Sequence, residues 1–148
     1  MCARVLGCAV RVSATSIDPS LACAALRATP ERLLCDLQLL GLLFESLVVR
    51  DLRVYAQAAD GTVLDYRDNT GLAVDAIVET GDGSWAAFEV TLGQGQIDAA
   101  AESLLTFAQR VNTGKCAAPK ALGLIVGTGY GYKRPGGVQV IPIGAFGY

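Results

Sequence analysis

Apolar residues recur with two different periods along the chain, and the change of period marks out its elements. Over 37–57 the spacing is that of one long helix. On a helical wheel Ser46, Arg50, Arg53 and Gln57 fall on one side and are expected to face water. Glu45 does not join them, because its neighbours one turn away are Gly41, Leu42, Val48 and Val49. A carboxylate on an apolar stripe is costly unless it has a partner. Glu45 is therefore read either as a site residue aimed inward or as a side chain reaching a helix end or a backbone N–H. Asp18-Pro19 and Thr29-Pro30-Glu31 carry a capping residue followed by proline, which predicts short helices over 20–27 and 30–35. A further amphipathic helix is predicted over 98–111, with Ala101, Leu104, Leu105 and Ala108 inward. Residues 1–16 read as an irregular or strand-like lead-in to a domain over 17–148.

Period-two segments predict strands over 62–67, 72–80, 84–92, 121–126 and 138–143. Pro142 suggests that the last lies at a sheet edge. Gly81-Asp82-Gly83 suits a tight hairpin that pairs Thr80 with Ser84, so paired residue numbers add to 164. Val74, Ala76, Val78, Ala86, Phe88 and Val90 then form an apolar core face. On the opposite face Asp75 meets Glu89 and Ala73 meets Thr91, with Cβ atoms about 5 Å apart. Two carboxylates directly opposite are destabilising unless compensated. A divalent cation such as Mg²⁺ or Mn²⁺, a shared proton, or a nearby cation such as Arg67 would each compensate. The elements together predict an α/β (α+β) domain. A central mixed sheet of about five strands carries the 37–57 helix on one face and the 98–111 helix on another.

Composition narrows the chemistry. The 148 residues fit one domain, and 52% hydrophobic with 18% charged residues excludes intrinsic disorder. No apolar run reaches the ~18 residues of a membrane-spanning helix. Histidine is absent, which removes Ser-His-Asp and Cys-His nucleophiles and His-ligated zinc. All 14 acids lie within residues 1–102, together with 7 basic residues, whereas 103–148 hold 5 basic residues and no acid. That asymmetry suggests either an anionic partner for the C-terminal part or a solvated basic edge. Five cysteines at irregular spacing argue for thiols in a cytoplasmic protein rather than a disulfide framework. Val5-Leu6-Gly7-Cys8 superficially matches a lipoprotein box, but too few residues precede it for a signal peptide. The glycine-rich stretch 127–137 lacks P-loop spacing. Its Tyr130, Tyr132, Lys133 and Arg134 are suited to stacking on bases and touching phosphate, or else decorate a long hairpin turn.

The order of elements is a helix with an inward Glu, a strand with Asp, a turn, a strand ending Glu-x-Thr, and a helix. It resembles the PD-(D/E)xK nuclease superfamily and its restriction-endonuclease-like fold. The block Gly41-Leu-Leu-Phe-Glu45, then Tyr66-Arg67-Asp68, Val74-Asp75 and Phe88-Glu89-Val-Thr91, resembles more closely DUF4143, a domain that usually follows an AAA-type ATPase module in bacterial proteins. Glu45, Asp75 and Glu89 match the family's acidic positions, and the resemblance implies a Mg²⁺ or Mn²⁺ site at Asp75 and Glu89. Thr91 stands where the family commonly has lysine, and threonine offers neither positive charge nor a suitable base. With that departure, the resemblance implies a degenerate, non-catalytic nuclease-like domain, acting in binding or regulation beside an ATPase module or DNA. Its alternatives are a structural remnant of a truncated ATPase gene, or a live Mg²⁺-dependent nuclease with a displaced lysine such as Lys120.

Overall fold

The computed structural model describes residues 10–12, 18–111 and 116–146. Three helices come first after a short strand, β1 (Val10–Val12). Helix α1 (Pro19–Leu26) starts where the Asp18 carboxylate accepts the Ser20 N–H at 2.8 Å. Helix α2 (Pro30–Cys35) is capped by Thr29, and α3 (Leu37–Ala58) by Asp36, which accepts the Leu39 N–H at 3.0 Å. These caps satisfy backbone donors that have no partner inside the helix.

The strands are β2 (Thr62–Arg67), β3 (Ala73–Glu79), β4 (Trp85–Thr91), β5 (Ala121–Val126), β6 (Tyr132–Lys133) and β7 (Gln139–Pro142). With β1 they form one seven-stranded sheet in the order β1-β2-β3-β4-β5-β7-β6, rather than about five strands. The sheet is mixed as expected. β1 to β4 are antiparallel neighbours, whereas β5 runs parallel to both β4 and β7. Parallel neighbours need a crossover, and α4 (Ile97–Arg110) supplies it between β4 and β5.

Helix α3 covers one sheet face, packing Phe44, Val48, Val49 and Leu52 on Val63, Ala76 and Ile125. Helix α4 covers the other, packing Leu104 and Phe107 among Tyr66, Trp85 and Leu124. Trp85 lies edge-on to Phe107 and donates its indole N–H to the Ala117 carbonyl at 2.7 Å. By contrast, α1 and α2 bury no residue fully. An ion pair between Asp18 and Arg50 at 3.2 Å ties the start of α1 to α3.

Three details depart from the sequence-based expectation. The 164 register holds for Ala76 to Glu79 against Trp85 to Phe88 but stops there. Leu64 pairs with Ile77, yet Tyr66 pairs with Val74, so Asp75 and Ala76 together oppose the single residue Asp65. This bulge interrupts the alternation of β3. Val74 packs on the α4 side while Ala76 packs under α3. Both hairpin faces are consequently core, with Ile77, Trp85 and Ala87 buried on the face that was expected to carry the acids. Pro142 is not on an edge strand, because β7 lies between β5 and β6. It pairs with Val126 of β5, and on its other side it has no ladder partner because β6 pairs only with Gln139 and Val140. Finally, Cys23 and Cys35 are free but Cys116 is disulfide-bonded, which corrects the expectation of thiols throughout. An odd cysteine count excludes complete pairing, not a single bond.

Among the described residues no helix is long and apolar enough to cross a membrane.

Candidate functional site

The β3 bulge positions the first acid. Where β3 and β4 stop pairing through their backbones, the Asp75 carboxylate accepts the Val90 N–H at 2.8 Å. Its side chain is also hydrogen-bonded to that of Glu89 on β4. Ionised carboxylates only accept hydrogen bonds, so this contact requires a proton, and the stronger upward shift of Glu89 favours that side of the pair. Ser103 of α4 donates its hydroxyl to Glu89 Oε1 at 3.4 Å, tying the pair to the helix behind it.

Glu45 approaches from α3. It is half-buried, and its charge acts on both Asp75 and Glu89. All three acids have their pKa raised, first by burial, which disfavours the charged form. Glu89 is pushed furthest, to about 9, with the neighbouring Asp75 charge adding to burial. The guanidinium of Arg67 opposes the shift at Glu45 and at Asp75. Of the compensations open to a pair of facing acids, Arg67 acts on Asp75, and burial favours the protonated form of Glu89.

The residue at the lysine position is turned to another use. Thr91 is buried, and its hydroxyl donates to Gln96 Oε1 at 2.5 Å. Gln96 ends a 3-10 turn, Gln94–Gln96, between β4 and α4. Thr91, Gln96 and Glu45 all line a groove of about 620 Å³ between the first turns of α3 and this connection. The groove went unseen in the sequence because its walls come from segments some fifty residues apart. Its one sequence trace was the inward Glu45.

The glycine-rich stretch folds as the β6–β7 hairpin and the loop before it. Tyr130, Tyr132 and Lys133 are exposed. Arg134 is instead ion-paired with Asp98 in the first turn of α4. This group stands on its own loop, which Gln94 ties to the β4–α4 connection through the Thr128 carbonyl.

The donor set is a poor match for a divalent cation as it is arranged. Asp75 and Glu89 supply oxygen ligands, but burial raises the pKa of both and so disfavours the ionised forms a cation needs. Among the described residues no three Asp, Glu, Cys or His side chains are gathered so as to hold a metal ion.

A mixed sheet between two helical layers, with a half-buried carboxyl pair at the end of its central hairpin, defines an α/β domain with an acidic site. Residues 40–146 match the domain of unknown function DUF4143, and the chain belongs to that family. No curated protein and no solved structure matches it.

Proposed function

We propose that the chain is a degenerate, non-cleaving nuclease-like domain that acts by binding or regulation beside an ATPase module or DNA. The observation that carries this reading is Thr91, not a cation, two residues beyond Glu89, its hydroxyl engaged by Gln96 beside the Asp75–Glu89 pair, whose burial disfavours the charged forms. Cleavage of a phosphodiester needs positive charge where negative charge develops. Here the position that would supply it carries a hydroxyl engaged with Gln96. The family match over residues 40–146 spans the three acids, and it leaves their role and the activity to be tested.

A second reading, a live Mg²⁺-dependent nuclease, draws on Arg67. Its guanidinium acts on both Glu45 and Asp75 and could stand in for the missing lysine.

Incubation of supercoiled DNA with the wild-type chain and Mg²⁺ or Mn²⁺ separates the two. The expected result is no nicking by wild type, with weak nicking by Thr91→Lys that a second change, Asp75→Ala, removes. Wild-type nicking lost in both Asp75→Ala and Arg67→Ala would establish the second reading. Inert wild type with inert, folded Thr91→Lys would leave a structural remnant.

A further inference from the structure

The groove beside the acids has a chemistry of its own. Its walls are mostly apolar, and Glu45 is the one ionisable residue among those lining it. Gln38, Thr91 and Gln96 add neutral polar groups. Two of its lining residues, Leu37 and Leu42, are large and apolar yet exposed for 66% and 58% of their surface. Leucines exposed together at the rim of a concave surface mark a place where another molecule sits.

The walls limit what that molecule is. β4 lines one side with Val90 and Thr91, which pair with β5; on the β3 side backbone pairing has ended at Phe88, but the Val90 N–H is already taken by Asp75 Oδ2 and so is not open to an added strand. The other side is the flank of α3, and its Gly41 leaves the floor open. A Cβ there would meet only Leu92 at 3.7 Å. A phosphate backbone would find no cation in the groove and one carboxyl group. A basic side chain would find that same carboxyl as its partner. Gln94 donates to the Thr128 carbonyl at 3.1 Å and so holds the Tyr130 loop next to the groove. Tyr130 itself is exposed for 89% of its surface.

We propose that this groove docks an amphipathic helix of a partner protein, its apolar face covering Leu37 and Leu42 and one lysine or arginine pairing with Glu45. The mode is helix-in-groove recognition, with anchors at one-turn spacing. Pairing with a cation favours the ionised form of Glu45 and so works against the burial that raises its pKa. The inference goes beyond the non-cleaving reading and does not depend on it.

The test offers the full chain a display library of helical peptides about 14 residues long, four turns. Leucines stand at one-turn spacing, and the remaining inward positions vary among Lys, Arg, Ser and Glu. Selected peptides are expected to carry one basic residue at a fixed place beside the leucines and to bind with Kd of roughly 1–100 μM. Changing that residue to Glu should weaken binding about tenfold or more. Gly41→Leu fills the floor and should weaken it similarly. Leu42→Ser changes an exposed side chain and serves as a second variant that keeps the fold, as a thermal melt verifies. Glu45→Gln should erase the preference for Lys over Ser. Selection of no peptide, or of peptides without a basic preference, would overturn the proposal. So would peptides that bind Gly41→Leu and Leu42→Ser as well as wild type, or a single-stranded oligonucleotide that displaces them. The nicking assay decides the non-cleaving reading separately, so failure of one leaves the other standing.

Discussion

Asp75 Oδ2 accepts the Val90 N–H at 2.8 Å, just past the point where the backbone pairing of β3 with β4 ends. A side chain thus completes the hairpin in place of a carbonyl. Removing the acceptor leaves a part-buried N–H without a partner and Glu89 without its hydrogen-bond acceptor. Asp75→Ala should lower stability by about 1–3 kcal/mol in urea melts. Asp75→Asn keeps an oxygen for Val90 and should lose markedly less. Equal losses in the two variants would show that the acceptor oxygen is unimportant.

The same pair gives stability a pH dependence of defined sign. Glu89 titrates near 4.5 when free and near 9 in the folded chain, so the folded state binds the extra proton. The stability tied to that proton is complete below about 4.5 and is lost as pH rises through about 9. Glu89→Gln keeps an amide that donates to Asp75 but does not titrate. Urea midpoints near pH 5, 7 and 9 should fall for wild type, and the curve for Glu89→Gln should be flatter and lie higher at the alkaline end. Parallel curves for the two proteins would show that Glu89 is not the titrating group.

Arg67 acts against burial at Glu45 and Asp75. Arg67→Ala should therefore raise both carboxyl pKa values further. A carboxyl-carbon NMR titration reads this directly, and unchanged midpoints would remove Arg67 from the site.

Two glycines should respond to alanine with opposite sign. In β5 a Cβ on Gly123 would lie 2.5 Å from the Phe88 ring, closer than atoms tolerate. Gly123→Ala should cost about 1–3 kcal/mol as Phe88 is forced aside. On Gly41, within α3, a Cβ makes ordinary contact with Leu92 at 3.7 Å. Gly41→Ala should gain about 0.5–1 kcal/mol from helix propensity. Thermal melts of the two single variants test the pair.

The hairpin register was legible because Gly81-Asp82-Gly83 leaves little choice of turn, and the long helix because its polar positions keep one side. The bulge was not legible. Val74, Ala76, Ile77 and Val78 are small or apolar on both faces of a strand buried on both sides, so alternation carries no information there. The need for compensation at Asp75 and Glu89 was visible from charge alone. Which compensation operates was not, since a shared proton depends on burial that only the packed helices create. Strand β6 is two residues long, below what periodicity can register.

Strand β4 has an antiparallel neighbour on one side and a parallel one on the other. The two sides differ in how the chain reaches them. β2, β3 and β4 join through short turns, which close early at small entropic cost. β5 reaches β4 only after the 3-10 turn, α4 and the loop behind it are in place, a contact between residues far apart in sequence and slow to form. Glu89 lies on that seam and is tied to α4 by Ser103. It keeps water contact while the hairpin stands alone and surrenders it when the crossover docks. Uptake of its proton belongs with the burial that the crossover completes: at neutral pH it is expected to accompany the late step and not the early one.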